Sequence, residues 1–561
     1  MPTLASTLVD KFTRSADAPA VHFEAVQPGG KGAWASLTWR QVEARVASTA
    51  DALRALGVGP GDRVAILGNT HPYWLDADFA TLCIGAVSVG IYPTLRPEAV
   101  RYQLGHSGAK VLLVESQNDV VRLAPALADL PDLVVRRWDF PETAVDLAAF
   151  RARARAVPAD APCAVFYTSG TTGDPKGAVI THAAMLSVCL ASMAPIPMKP
   201  GERSIIFLPL AHSLQRMVAY RGLLEDVTAH FCPSIDRVAE VLPLARPSVI
   251  ATVPRMLEKI KAGIEARVAA SSPLRQRIFA EAIAAGLVRS RALEEKRPVP
   301  TLTAWKWALA DRVVFRKIRE RFGGNLRLFA VGGARLDPGV GRFFHAMGIT
   351  VCEAWGLSET CAPATVNSPD DFRFGTVGKP LDGVELKLEP DGEVLVRGPG
   401  LFTGYWNDPV ATAAAFTPDG FFRTGDIGEL HDGFLKIVDR KKELLVTSGG
   451  KNIPPVNIEK RLEGGAIGQA VVIGTDRPYL VALFAPDPDH TKGMDRAALQ
   501  AAGELRVREA NAHLAPFEQI KRFAWLPEPL SVDNGMLTPT LKLKRRIIAQ
   551  TYADVIDGLY A

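Results

Sequence analysis

Short apolar runs recur along the chain, each about a strand's length, and the stretches between them carry apolar residues at helical spacing. In the first half they are Val64-Ala65-Ile66-Leu67, Val111-Leu112-Leu113-Val114, Ile205-Ile206-Phe207-Leu208 and Val249-Ile250-Ala251-Thr252-Val253. Runs with no polar face suit strands covered on both sides, so their alternation with helices predicts parallel sheets in an α/β architecture. The uncharged stretch from Phe79 to Leu95 falls just short of a membrane span and holds two glycines and a proline. It reads as a buried helix followed by a strand.

From about residue 256 to 325 the texture changes. Alanine, arginine and leucine dominate, and Leu274 to Leu293 repeats apolar residues at helical spacing, which predicts a helical block interrupted near Pro298 and Pro300. Beyond Gly383 the pieces shorten to strands at Val384–Leu388 and Glu393–Val396. Turns at Pro390-Asp391-Gly392 and Pro418-Asp419-Gly420 separate them. The charged run Asp439-Arg440-Lys441-Lys442-Glu443 is the candidate linker. After it, strands at Ala470–Ile473 and Leu480–Ala485 and a helix over Arg496–His513 predict a smaller α+β unit. Two domains follow: residues 1–439, with a β-rich part at about 384–439, and residues 440–561.

Composition narrows the class. A chain of 561 residues exceeds what one core holds, and 48% hydrophobic with 22% charged residues is ordinary globular protein. The net charge of +5 suits an enzyme that handles anions. No long basic block appears, so nucleic acid is not an expected partner. Six scattered cysteines without a C-x-x-C pair predict buried free thiols in a reducing compartment. The N-terminus lacks a signal peptide's apolar core, so the expected location is cytoplasmic, with peripheral membrane contact and a homodimer left open.

The stretch Tyr167–Gly177, "YTSGTTGDPKG", packs hydroxyls and glycines around one lysine. Glycines let backbone N–H groups turn toward an anion, while hydroxyls and an ammonium add donors and charge. Thr168, Ser169, Gly170, Thr171, Thr172, Gly173 and Lys176 supply all three. It is not a Walker A loop, because Pro175 and Gly177 stand where that motif needs glycine and Ser or Thr. Alone, the loop is either a phosphate cradle or a polar turn.

Four further segments follow in order: "EAWGLSET", "GFFRTGD", "IVDRKKELLVTSGGKNIPPVNIE" and "TPTLKLKRR". With the loop, they resemble the ordered motifs of the adenylate-forming superfamily, which includes acyl-CoA synthetases, luciferases and peptide-synthetase adenylation domains. The resemblance covers nearly the whole chain. It implies a large N-terminal adenylate-forming domain of parallel sheets with helices plus a small β-rich subdomain, and a small mobile α+β C-terminal domain. The reaction implied is attack of a carboxylate on the α-phosphate of ATP, giving acyl-AMP and pyrophosphate, with Mg²⁺ as cofactor.

The resemblance also implies roles for residues. The loop grips the β- and γ-phosphates; Glu359, helped by Thr168, holds Mg²⁺. Gly333 and Ala334, with Glu353, Ala354, Trp355, Gly356 and Ser358, line the adenine site. Trp355 stands where the family usually has tyrosine, and Ser358 replaces threonine. Asp426 accepts the ribose hydroxyls and Arg440 adds a ribose or phosphate contact. Lys542 is the catalytic lysine, set before the basic pair Arg545 and Arg546, although Leu541 replaces the family's usual glycine. His212 in "PLAHSLQRM" shapes the acyl-carboxylate site, with Gln215 where glutamate is common. Lys442 is the hinge and also lies near the nucleotide. Rotation about it exchanges Lys542 for Gly449 and Gly450, which line the path of coenzyme A.

The long helical block resembles long-chain and bubblegum-type fatty acyl-CoA synthetases, which implies a medium- or long-chain fatty acid, ATP and CoA as substrates. Aryl or other carboxylate-CoA ligation, and acyl-AMP delivery to a carrier protein, stay open. So does a non-catalytic nucleotide-binding role.

Overall fold

The computed structural model describes residues 2–27, 30–168, 174–447, 452–538 and 542–561. Two large sheets form the N-terminal part. In the first, parallel strands Arg63–Leu67, Val87–Ile91, Val111–Val114, Val134–Arg137 and Pro162–Thr168 lie side by side. In the second, parallel strands Arg203–Ile206, Thr228–Phe231, Val249–Thr252, Leu328–Val331 and Thr350–Leu357 do the same. The apolar runs read from the sequence are these strands, and Val64 to Leu67 and Val111 to Val114 are fully buried. Both sheets turn antiparallel toward one edge, where Pro162–Thr168 with Lys176–Thr181 and Thr350–Leu357 with Ala362–Val366 need only a short connection in place of the long crossover of a parallel neighbour.

Helices Pro72–Cys83, His182–Ala191 and Ser213–Leu224 join strands of both sheets in one core cluster, through Trp74, Met185 and Tyr220 among others. Pro72–Cys83 is buried along almost its entire length, and its two aspartates are matched by buried arginines, Asp76 by Arg45 and Asp78 by Arg216 at 3.7 Å. The six cysteines are free and buried, as expected. The strand expected over Ile205–Leu208 ends at Ile206. The Leu208 N–H instead donates to the Gln215 side chain at 3.2 Å, which draws the chain out of the sheet.

The helical block comprises Pro254–Ala269, Pro273–Glu294, Thr301–Ala310, a π-helical turn Asp311–Phe315 and Arg316–Arg321. Prolines open the first two helices, where their missing N–H costs nothing. Strands Glu385–Leu388, Glu393–Arg397, Phe422–His431 and Phe434–Arg440 form an antiparallel sheet. The C-terminal part is α+β: strands Ile467–Ile473, Leu480–Pro486 and Ile520–Trp525 with helices Pro455–Leu462 and Arg496–Asn511 packed on them. Among the described residues no helix is long and apolar enough to cross a membrane.

Candidate active site

Asp426 and Arg440 face each other directly across the strands Phe422–His431 and Phe434–Arg440. Arg440 Nε lies 2.9 Å from Asp426 Oδ1, and Trp355 Nε1 donates to Asp426 Oδ2 at 2.8 Å. The carboxylate is therefore buried and held from both sides.

Glu359 sits in the turn Ser358–Thr360 that follows the strand Thr350–Leu357. Its carboxylate is buried and accepts the Tyr405 hydroxyl at 2.9 Å. Burial pushes its pKa above the ordinary carboxylate value, against the pull of Tyr405 and Arg440. The tight turn beyond it needs Gly356, because a Cβ there would meet the Ala362 carbonyl oxygen at 1.6 Å. Ser358 lies half-buried in this turn.

The strand Gly404–Tyr405 pairs antiparallel with Lys176–Thr181, setting Tyr405 opposite Ala178. Lys176 consequently lies over the Tyr405 ring, 5.0 Å from its centroid, and 4.0 Å from Asp408. Thr168 pairs with Lys176 at the end of the hairpin, its hydroxyl 3.4 Å from the Lys176 carbonyl. The paired strands Pro162–Thr168 and Lys176–Thr181 thus carry the two ends of the predicted phosphate loop. Ser169, Gly170, Thr171, Thr172 and Gly173 lie outside the described residues, as do Gly449 and Gly450.

Lys542 arrives from the C-terminal part. Its backbone is pinned by Thr538, whose N–H donates to the Lys542 carbonyl at 2.8 Å and whose hydroxyl oxygen accepts the Lys542 N–H at 3.0 Å. Three residues on, Arg545 grips both carboxylate oxygens of Glu459. The Lys542 side chain is open to the cleft, yet protein surrounds it at longer range. That desolvation, with the nearby Arg440 charge, lowers its pKa, opposed by Asp426, Glu443 and Glu359. The terminal part is tied over the cleft by Arg335 to Asn457, Arg96 to the Asp533 carbonyl, and Lys460 to Glu258 at 3.7 Å.

His212 caps the helix Ser213–Leu224, its Nδ1 accepting the Leu214 N–H at 3.1 Å. Burial, with the Lys542 charge, lowers its pKa to about 4, so it is neutral at physiological pH. The capping contact is a structural duty, and it fixes the ring beside the cleft. Gln215 takes the Leu208 N–H, which answers what replaces the family's glutamate.

Other predicted residues divide. Gly333 has φ of +85°, a left-handed conformation suited to glycine, and Ala334 follows it in the turn after Leu328–Val331. Glu353 is buried and spends its carboxylate on the Leu336 N–H at 3.0 Å, which supports that turn from behind. Lys442 is exposed in the turn after Arg440. Tyr405 escaped the sequence reading, because only sheet pairing brings "GYWND" against Glu359.

A cavity of about 80 Å³ starts at Gly332, Ala354 and Leu214, beside this cluster, and runs between the second sheet and the helix Ser213–Leu224. Its walls include Met217, Val218, Ala219 and Val249. Its far end meets Arg221 and Glu225, a buried ion pair at 2.5 Å whose arginine also donates to the Ser192 and Ile196 carbonyls. A polar cluster opening onto an apolar cavity accommodates an amphiphile with an anionic head.

Residues 9–406 match the AMP-binding enzyme family and residues 442–561 match the AMP-binding enzyme C-terminal domain. The long-chain-fatty-acid–CoA ligase FadD15 of Mycobacterium tuberculosis is 36% identical over 94% of this chain and 93% of its own length. The peroxisomal long chain acyl-CoA synthetase 7 of Arabidopsis thaliana is 30% identical over 95% of this chain and 83% of its own. The fold matches ATP-bound MatB from Rhodopseudomonas palustris with a TM-score of 0.72 at 24% identity, covering 98% of this chain and 99% of that one. O-succinylbenzoate coenzyme A synthetase (MenE) from Bacillus subtilis in complex with AMP gives the same TM-score at 22% identity, over 96% and 97%. Family matches over both parts of the chain, around a cleft lined by Glu359, Asp426 and Lys542, place this protein among the AMP-binding, adenylate-forming enzymes.

Proposed function

We propose that this enzyme activates a medium- or long-chain fatty acid with ATP, forming acyl-AMP and pyrophosphate, and then transfers the acyl group to coenzyme A with release of AMP. The observation that carries the reading is the apolar cavity that leads away from Gly332 and Ala354 beside the Lys542 cleft. Its walls offer dispersion contacts and almost no hydrogen bonds before the distal ion pair, which suits an alkyl chain better than a ring bearing polar substituents. The 36% identity to a long-chain-fatty-acid–CoA ligase supports the same choice.

The residues divide the work as follows. Asp426, held by Trp355 and Arg440, accepts the ribose hydroxyls. Lys176 and the loop residues Thr168, Ser169, Gly170, Thr171, Thr172 and Gly173 hold the β- and γ-phosphates, while Gly333 and Ala334 together with Ala354, Trp355, Gly356 and Ser358 border the adenine. Lys542 places its ammonium between the attacking carboxylate and the α-phosphate, neutralising charge as the new P–O bond forms and pyrophosphate leaves. Neutral His212 shapes the wall near the carboxylate. A carboxylate nucleophile brings its own charge, so no proton needs removing.

Glu359 fits a magnesium ion: it is a buried carboxylate whose pKa is raised by desolvation, which Arg440 only partly offsets, so a bound cation would favour its charged form. Among the described residues no group of three or more potential ligands surrounds it, so most ligands must come from phosphates and water, as Mg²⁺ favours. Thr168 is the second protein ligand in this reading. The ion, when bound, lowers the repulsion between ATP and the incoming carboxylate. For thioester formation, residues 440–561 rotate as one domain relative to residues 1–439 about Lys442, withdrawing Lys542 and bringing Gly449 and Gly450 toward coenzyme A.

The test is mass spectrometry of the products formed from Mg-ATP and an acid panel running from acetate to stearate, with benzoate and cinnamate, with and without CoA. A CoA-dependent thioester that peaks between laurate and stearate is expected. Acyl-AMP that persists when CoA is added, or a peak at an aromatic acid, overturns the reading.

A further inference from the structure

The helix Thr301–Ala310 and its continuation leave large apolar side chains in water. Leu302 is 68% exposed, Trp305 74%, Leu309 66% and Val313 44%. The first three recur at i, i+3 and i+7, so they form one stripe, while Ala310 and Trp307 turn inward. Trp307 is fixed there by its Nε1–H bond to the Ala346 carbonyl at 2.8 Å and by Arg289 stacked 4.3 Å over its ring. The outward stripe is therefore not frayed core, because the inward face is already packed.

Basic residues accompany the stripe. Lys306, Arg312, Arg316 and Lys317 are all exposed, and among the described residues none forms an ion pair. Asp311, beside Arg312, is taken by Arg319 at 2.6 Å, and the exposed Glu320, three residues after Lys317, forms no ion pair with these cations among the described residues. Exposed tryptophan and leucine beside unpaired lysine and arginine are what the boundary of an anionic bilayer selects: acyl chains take the apolar groups and headgroup phosphates take the cations. A second copy of this chain fits poorly. Pairing the stripe with itself about a two-fold axis would set these cations against their own counterparts.

We infer that the helix Thr301–Ala310 and its continuation through Arg321 form a peripheral docking surface for an anionic lipid membrane. The stripe lies in the interface plane, Trp305 and Leu309 entering the acyl boundary, and the lysines and arginines remain at headgroup level.

The experiment is sedimentation of the full chain with phosphatidylcholine vesicles, either pure or with about one-quarter phosphatidylglycerol. Partitioning at least about tenfold stronger onto the anionic vesicles is expected. Two variants separate the contributions: Trp305→Ser with Leu309→Ser, and Lys306, Arg312, Arg316 and Lys317 all →Gln. Each is expected to lose roughly tenfold or more in partitioning, with the melting temperature unchanged because the substituted side chains are exposed. Equal binding to both vesicle types, or binding by both variants at the level of the parent, overturns the inference. So does a dimer, seen by analytical ultracentrifugation without lipid, that the Trp305→Ser, Leu309→Ser variant dissolves, since the stripe would then be a self-association surface.

Discussion

Trp355 donates its indole N–H to Asp426 Oδ2 at 2.8 Å while Arg440 approaches the other oxygen at 2.9 Å, so the proposed ribose carboxylate is fixed before any nucleotide arrives. Tyrosine, common at this position in the family, lacks an N–H at the indole's place. Trp355→Phe keeps an aromatic face and removes the donor. A lost hydrogen bond to a charged acceptor is worth about 1.5–3 kcal/mol, which predicts a rise of roughly tenfold or more in KM for ATP. The turnover number should change much less. Steady-state kinetics with saturating acid decide it; an unchanged KM would mean the bond does not prepare the carboxylate.

Tyr405 stands between Lys176 and Glu359, its ring under the ammonium and its hydroxyl on the carboxylate. Partners of a metal-holding carboxylate typically matter by about ten- to a hundredfold in affinity. Tyr405→Phe is expected to raise the Mg²⁺ concentration giving half-maximal adenylation by about tenfold, measured as pyrophosphate release at fixed ATP. If the magnesium requirement is unaltered and only KM for the acid moves, Glu359 does not serve the metal.

Much of this was legible from sequence, and what was not has a physical cause. The buried strands announced themselves because a strand covered on both faces must be apolar throughout, and Val64 to Leu67 or Val111 to Val114 is nothing else. The motifs imply Asp426, Glu359 and Lys542 from local sequence alone, and the structure brings them to one cleft, Glu359 from the turn Ser358–Thr360 and Asp426 from the strand Phe422–His431. Tyr405 and the Trp355 bond were missed because each depends on pairing between strands far apart in the chain. Glu353 carries a duty that its motif does not imply: its carboxylate accepts the Leu336 N–H, a partner 17 residues away. The cavity was invisible too, since its lining comes from a helix and several strands that contribute a few residues each.

Gly222 is the position from which to test the acyl chain. It lies near the end of the helix Ser213–Leu224 and lines the cavity next to Arg221, and a Cβ built there meets nothing within 4 Å. A helical glycine costs about 1 kcal/mol relative to alanine, so the open space is what the residue supplies. Gly222→Leu should fill the end of the cavity without strain and shift the preferred acid by about two to four carbons toward shorter chains. The melting temperature should hold or rise. Product yields across the saturated series, compared with the parent, provide the readout. An unshifted optimum in a folded variant would remove Gly222 from the chain's path, whereas a parent that prefers no aliphatic acid would count against the fatty acid itself.

Glu353 predicts a pH dependence of stability. Burial raises its pKa from 4.5 to about 7, against the Leu336 N–H and the Arg335 charge. The folded state therefore binds the proton more tightly than the unfolded chain. Below about pH 4.5 both forms are protonated and the residue is neutral in its effect. As pH rises from 4.5 to about 7 the unfolded chain ionises first, and stability falls; above about 7 the loss is complete. Its upper bound is about 3 kcal/mol. Glu353→Gln keeps an acceptor for the Leu336 N–H and cannot ionise, so the variant should gain on the parent as pH rises. Thermal melts of both proteins at about pH 5 and about pH 8 measure the difference. A gap that grows toward the higher pH is expected; a gap of the same size at both would mean that Glu353 is solvated well enough to ionise freely.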